Sequence, residues 1–164
     1  EVVEAPIVVD YLHGGGRIGV IVAAEAGTDN DVIREAVKNV AMQVAALTPK
    51  YVSRDEVGDD YIAHEKEILL AQIMNDPKES AKPQKVIDGM INGRINKELK
   101  EICLLDQIYV KAEDGKQTVG QYLAQVGKEN ATDLKITKFV RYETGEGLEK
   151  KNEDFAAEVA AQMR

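Results

Sequence analysis

The chain has 164 residues, with 21 basic against 29 acidic side chains, a net charge of −8 and a pI near 4.9. That balance argues against a general nucleic-acid binder, whose phosphate contacts need a basic face. An apolar content of 44% with 30% charged residues is that of a folded chain with one core, or of a compact unit carrying an insertion.

Glu1 runs straight into strand-like residues, with no initiator Met and no signal-peptide pattern, so the sequence reads as a segment of something longer. No apolar run approaches the roughly 20 residues needed to cross a bilayer. Cys103 is the one cysteine, in the run Ile102-Cys-Leu-Leu105. It cannot form an intrachain disulfide, so a reducing cytoplasm is the expected location and a small buried hydrophobe its expected role.

Alternation of Ile7, Val9 and Tyr11 with Val8, Asp10 and Leu12 predicts a first strand, begun or placed at an edge by Pro6. The stretch Tyr11–Val22 then presents His13 and three glycines ahead of an apolar tail. Gly14, Gly16 and Gly19 have the G-x-G-x-x-G spacing of a phosphate cradle, but that motif requires a helix to follow. Ile18, Val20, Ile21 and Val22 favour a pleated surface instead, so the glycines read as the turn of a hairpin whose second strand covers about 17–24.

Asp29 or Asn30 can cap the next element. Val32, Ile33, Ala36, Val37, Val40, Ala41, Val44 and Ala45 recur at helical spacing as far as Leu47, with Arg34, Glu35, Lys38, Asn39 and Gln43 on the opposite side. This helix is expected to pack on the sheet and to stop at Pro49. Ser53 and Glu56 make a capping-box pattern, although Gly58 makes that first turn a short helix or a bend.

From Asp59 the residues Tyr61, Ile62, Glu65, Ile68, Leu69, Gln72 and Ile73 form a narrow seam of about 25 Å. After the break Asn75–Ser80, a second arm starts near Pro83 and carries Val86, Ile87, Met90, Ile91, Ile95, Leu99 and Ile102. Two narrow seams predict an antiparallel helical hairpin over 55–102, set into a core of 1–54 and 103–150. Its acidic start (Asp55, Glu56, Asp59, Asp60) should lie beside its basic end (Arg94, Lys97, Lys100). Gly89 and Gly93 weaken the second arm by roughly 1 kcal/mol each relative to Ala, which a close helix–helix approach would explain.

Further on, Ile108–Lys111 reads as a short extended piece, and Thr118 with Gln121 as a capping box for a helix through Val126, ended by Gly127. Leu134–Glu143 alternates as a third strand, stopped by Gly145 and Gly147. A last amphipathic helix over about 152–162 carries Phe155, Ala156 and Val159, in a C-terminal piece of 151–164. The fold class is α+β: a small antiparallel three-stranded sheet in β-β-α-β order, packed on helices, with an inserted coiled-coil hairpin.

Catalytic machinery is not evident. His13, His64 and Cys103 have no metal-ligand spacing, so no metal or cofactor is expected. Ser53 and Ser80 read as caps or loop residues, no G-x-S-x-G elbow accompanies His13-Gly-Gly-Gly16, and there is no Walker A sequence. A protein acting by binding, not an enzyme, is the better reading.

Several motifs in order give the chain a resemblance to a family. They are Tyr11-Leu-His-Gly-Gly-Gly-Arg-Ile-Gly-Val20, Val40-Ala-Met-Gln-Val-Ala-Ala46 with Pro49, and Lys116-Gln-Thr-Val-Gly-Gln121. Phe139-Val-Arg-Tyr-Glu-Thr-Gly-Glu-Gly147 and Asp154-Phe-Ala-Ala-Glu-Val159 complete the set. Together they resemble bacterial elongation factor Ts over nearly the whole chain. The resemblance implies a guanine-nucleotide exchange factor that binds elongation factor Tu, GDP-bound or nucleotide-free, and speeds GDP loss during translation elongation. It also implies the second half of the family's core with its hairpin insertion, a unit that meets the third domain of elongation factor Tu.

The implied contact residues are His13 with its turn neighbours Gly14, Gly15 and Arg17, together with Val110. For His13 a plain turn-flanking role stays open, and the hairpin reads equally as a homodimer contact or a passive protrusion. Two departures matter. Ile108 stands where the family commonly has Pro, and these residues contain neither the N-terminal helical module nor the Thr-Asp-Phe run that reaches the Mg²⁺ site. Weak binding and poor exchange are therefore expected of these residues alone. The rival reading is a non-catalytic self-association module built on the hairpin.

Overall fold

The computed structural model describes residues 2–147, so the helix expected over 152–162 lies outside the described residues. Strand β1 (Ile7–His13) pairs antiparallel with β2 (Ile18–Ala26), and β2 pairs antiparallel with β3 (Leu134–Glu143), giving the sheet order β1-β2-β3. Side chains alternate across the pleat. Ile7, Val20, Val22, Ala24 and Ile136 therefore turn to one face and are buried there, with Val9, Tyr11 and Phe139 packed at its margin. β2 runs two residues past its expected end, because pairing with β3 continues to Ala26↔Leu134. Between Ala23 and Ala24 the register slips by one, passing over Thr137, whose hydroxyl donates to the Ala23 carbonyl at 3.3 Å. The bulge buries both alanines.

Helix α1 (Asp31–Leu47) covers the inner face. Asn30 supplies the cap, its side chain accepting the Ile33 N–H at 2.9 Å, while Asp29 pairs with Arg34 at 2.6 Å. Ile33, Ala36, Val37, Val40, Ala41 and Val44 are buried against the sheet, each larger aliphatic side chain contributing on the order of 1.5–3 kcal/mol. Two positions differ from the periodic pattern. Val32, counted with the stripe, is 53% exposed, and Gln43, placed on the solvent side, is wholly buried. The helix stops because Pro49 disfavours a helical Thr48. Thr48 adopts a left-handed conformation (φ 45°) and donates to the Val44 carbonyl.

A second apolar cluster belongs to the hairpin: α2 (Asp59–Asn75), the single turn α3 (Pro77–Ser80) and α4 (Gln84–Ile102). Ile87, Ile91, Ile95 and Leu99, four apart, face Ile73, Leu69, Ile62 and Tyr61. Pro83 is the N-cap of α4 and not its first helical residue. The chain enters and leaves through one stitched base: Tyr51 bridges Cys103, Leu104 N–H donates to the Tyr51 carbonyl at 2.9 Å, and Leu105 N–H to the Val52 carbonyl at 3.0 Å. Cys103 is buried there, as its apolar setting implies.

Three expectations for the hairpin are corrected. Gly89 and Gly93 face open space, so no close helix approach explains them. Arg94 pairs not with the acidic start but with Glu79 near the tip, at 3.1 Å, while the base is tied by Tyr61 donating to Glu98 and by Arg54 with Asp106 at 2.6 Å. Ser53 makes no side-chain cap. Glu56 reaches past it to accept the Val52 N–H at 2.7 Å, and only a 3-10 turn (Arg54–Glu56) forms.

Helix α5 (Val119–Glu129) starts with the full capping box of Thr118 and Gln121 and buries Val119, Leu123 and Val126. Gly127 does not end it. The helix runs on to Glu129, because Asn130 and Thr132 still find carbonyls in the last turn.

Candidate functional site

The turn joining β1 to β2 holds four of the five residues expected to touch a partner. His13 and Ile18 close the strand ladder, leaving Gly14–Arg17 as a four-residue loop. Gly14, Gly15 and Gly16 all have positive φ (59°, 68° and 89°), a conformation that side chains with a Cβ rarely adopt. The loop is locked from both sides. Gly16 N–H donates to the His13 carbonyl at 3.2 Å, and the Arg17 carbonyl accepts from Thr144, both N–H (2.8 Å) and hydroxyl (3.2 Å). His13 stands exposed on this frame, its Nδ1 3.0 Å from the Tyr11 hydroxyl, with the two rings 5.9 Å apart. The glycines thus make a hydrogen-bonded turn, with β2 continuing as strand where a phosphate cradle would need a helix.

Beside the turn, Leu12 and Tyr142 flank Gly19 across the three strands and are 67% and 53% exposed. The alternation sets Leu12 opposite Tyr11 but groups Tyr142 with Ile136 and Val140, a grouping that the bulge passing over Thr137 overturns by putting Tyr142 on the face away from buried Ile136. Their adjacency depends on the register.

Val110, the fifth expected residue, lies elsewhere. It follows the bridge between Ile108 and Thr118, where Ile108 and Val110 are each about half exposed. The chain there has one short bridge and a turn, less extended structure than the pattern suggests. A hollow of about 610 Å³, lined by Val8, Asp10, Arg34, Lys38, Asn39 and Lys111, lies between the outer edge of β1 and the chain just past Val110. The turn and the Val110 segment are therefore brought to one helix, α1, by different routes: the sheet packs on it, and the segment is hydrogen-bonded to it.

That second attachment is through Gln43, which sequence reasoning placed in solvent. Its Oε1 accepts the Val110 N–H at 2.8 Å, and its Nε2 donates to the Ile108 carbonyl at 3.0 Å and to Gln107 Oε1 at 3.3 Å. Gln107, also buried, donates to the Glu101 carbonyl at 2.7 Å in the last turn of α4. A glutamine among apolar neighbours at 3-4 spacing was the only available signal, and it reads first as a surface residue.

Among the described residues no group of three or more His, Cys, Asp or Glu side chains converges as metal ligands, and no helix is long and apolar enough to cross a membrane. What the surface offers is a hydrogen-bonded turn, exposed apolar side chains and backbone held by Gln43.

Residues 1–146 match the family described as Elongation factor TS, and the chain belongs to that family. It is 49% identical over all of its length to elongation factor Ts of Clostridioides difficile, strain 630, covering 52% of that protein. It is 46% identical to elongation factor Ts of Desulforamulus reducens over 96% of this chain and 72% of the relative, and 47% identical to that of Clostridium botulinum, strain 657, over 98% and 50%. The chain thus spans about half the length of most of the curated relatives it matches.

Proposed function

We propose that these residues are a docking unit of a guanine-nucleotide exchange factor, binding elongation factor Tu through His13, Gly14, Gly15 and Arg17 and, separately, through Val110. The family match carries the reading, and the locked turn supports it. The loop is tied down by the Gly16–His13 bond and by the two Thr144 bonds to the Arg17 carbonyl, which offset part of the freedom its glycines would otherwise lose on binding. Exchange follows from differential affinity: a factor that holds the nucleotide-free partner more tightly than the GDP-bound one must weaken GDP by the same factor. No bond is made or broken by the factor, and a cytoplasmic location suits such a role.

The test mixes the chain with elongation factor Tu loaded with fluorescent GDP and records both binding and release. Binding that His13→Ala weakens, with unchanged thermal unfolding, is the expected result, together with slow GDP release. Release as fast as that driven by a full-length family member would sink the view that these residues mainly dock. Tyr11→Phe should weaken binding less than His13→Ala, since it only frees the imidazole from its hydroxyl partner.

Self-association through the hairpin is the second reading, favoured by Leu70, Met74 and Val86, which are 39%, 56% and 45% exposed. Capture from a bacterial lysate separates the two. A docking unit retains elongation factor Tu, whereas a dimeriser retains only its own copies and shows a concentration-dependent mass in sedimentation.

A further inference from the structure

The Ile108–Val110 segment presents two half-exposed apolar side chains on backbone that has almost no regular structure of its own. Its middle is held by the Tyr109 N–H bond to the Gln117 carbonyl and by the buried Tyr109 ring, while one wholly buried side chain of α1, Gln43, grips both ends, donating to the Ile108 carbonyl and accepting the Val110 N–H. A primary amide is suited to this, since it offers donor and acceptor together on one rigid plane. Burying it is costly unless both ends are paired, and here both are.

We propose that Gln43 is a positioning residue for partner docking: it fixes the Ile108–Val110 backbone so that the Ile108 and Val110 side chains are presented in one orientation. It does so from the helix on which the sheet bearing His13 also packs, which keeps both contact regions in a constant relation. This inference rests on the docking reading above. Gln43 touches no partner and acts only through the segment it holds.

The experiment is a double-mutant cycle on the full chain, with binding to GDP-bound elongation factor Tu as the readout. In the unaltered background Val110→Ala should weaken binding about fivefold. In a Gln43→Met background, where the segment is no longer gripped, the same change should cost less than about twofold, while His13→Ala costs the same in both. A purely structural role for Gln43 would leave the Val110→Ala factor unchanged, and that result would overturn the proposal while leaving the docking reading intact. If Val110→Ala has no effect in the unaltered background, the proposal falls, while docking through the His13 turn is judged separately by His13→Ala. Hydrogen exchange of the unaltered chain gives a measurement that does not depend on Gln43→Met folding. The Val110 amide should be protected like the amides of α1, and exchange at the rate of an exposed loop would refute the grip.

Discussion

The Thr132 N–H donates to the Gly127 carbonyl at 2.9 Å, and the two backbones lie so close that a Cβ on Gly127 would stand 2.7 Å from the Thr132 carbonyl oxygen. Gly127→Ala gains up to about 1 kcal/mol of helix propensity but must push apart the α5–β3 connection, an overpacking cost of about 1–3 kcal/mol. The expected result is a net loss of stability in denaturant unfolding. A variant as stable as the parent would show that the connection yields freely.

Gly89 and Gly93 are the opposite case. Both are in the middle of α4, and an added Cβ would meet nothing within 4 Å. Gly89→Ala and Gly93→Ala should each stabilise the hairpin, by up to about 1 kcal/mol, through propensity and a less flexible unfolded chain. Thermal unfolding of the single and double variants checks this, and a fall in midpoint would contradict it.

At position 108 a proline should be tolerated. The Ile108 N–H takes no part in the bonds that hold its segment, which run through the Gln107 and Ile108 carbonyls and the Tyr109 and Val110 amides. Gln107 already has φ −65° and ψ 145°, the conformation a following proline favours. Ile108→Pro should leave stability unchanged or raise it by about 0.4–1 kcal/mol. A loss larger than that would mean the ring disturbs the grip of Gln43.

Cys103 gives a pH test. Burial pushes its thiol above the ordinary range, with Asp106 adding to the effect. The folded state thus favours the neutral thiol, and its contribution to stability is full below the unfolded thiol's value and lost as pH rises through the folded one. Slow labelling by a thiol reagent at pH 8 is expected in the native state and fast labelling in denaturant, with stability falling as the solution is made alkaline. Native labelling at the rate of a free thiol would contradict the burial.

The element types and most of their ends were legible because they are local. Period-2 alternation in Leu134–Glu143, the Asn30 cap and the Thr118–Gln121 box each depend on a few neighbouring residues whose backbone groups need partners wherever the rest of the chain goes. The turn at Gly14–Gly16 was legible for the same reason, whereas a docking role for His13, Gly14, Gly15 and Arg17 is what the family resemblance implies.

What the chain does at long range was decided only on folding. Gln43 reads as a surface residue until a segment 64 to 67 positions away turns its carbonyl and amide toward it. Gly89, Gly93 and Gly127 all prove to lie inside helices, yet only the third has backbone pressed against it. Arg94 finds Glu79 and not the acidic start of α2, since a long exposed side chain pairs with whichever charge the packed arms bring within reach. Sequence alone settled which backbone groups are satisfied by neighbours. Tertiary structure assigned the remainder, because a buried donor or acceptor must be met by whatever the fold places beside it.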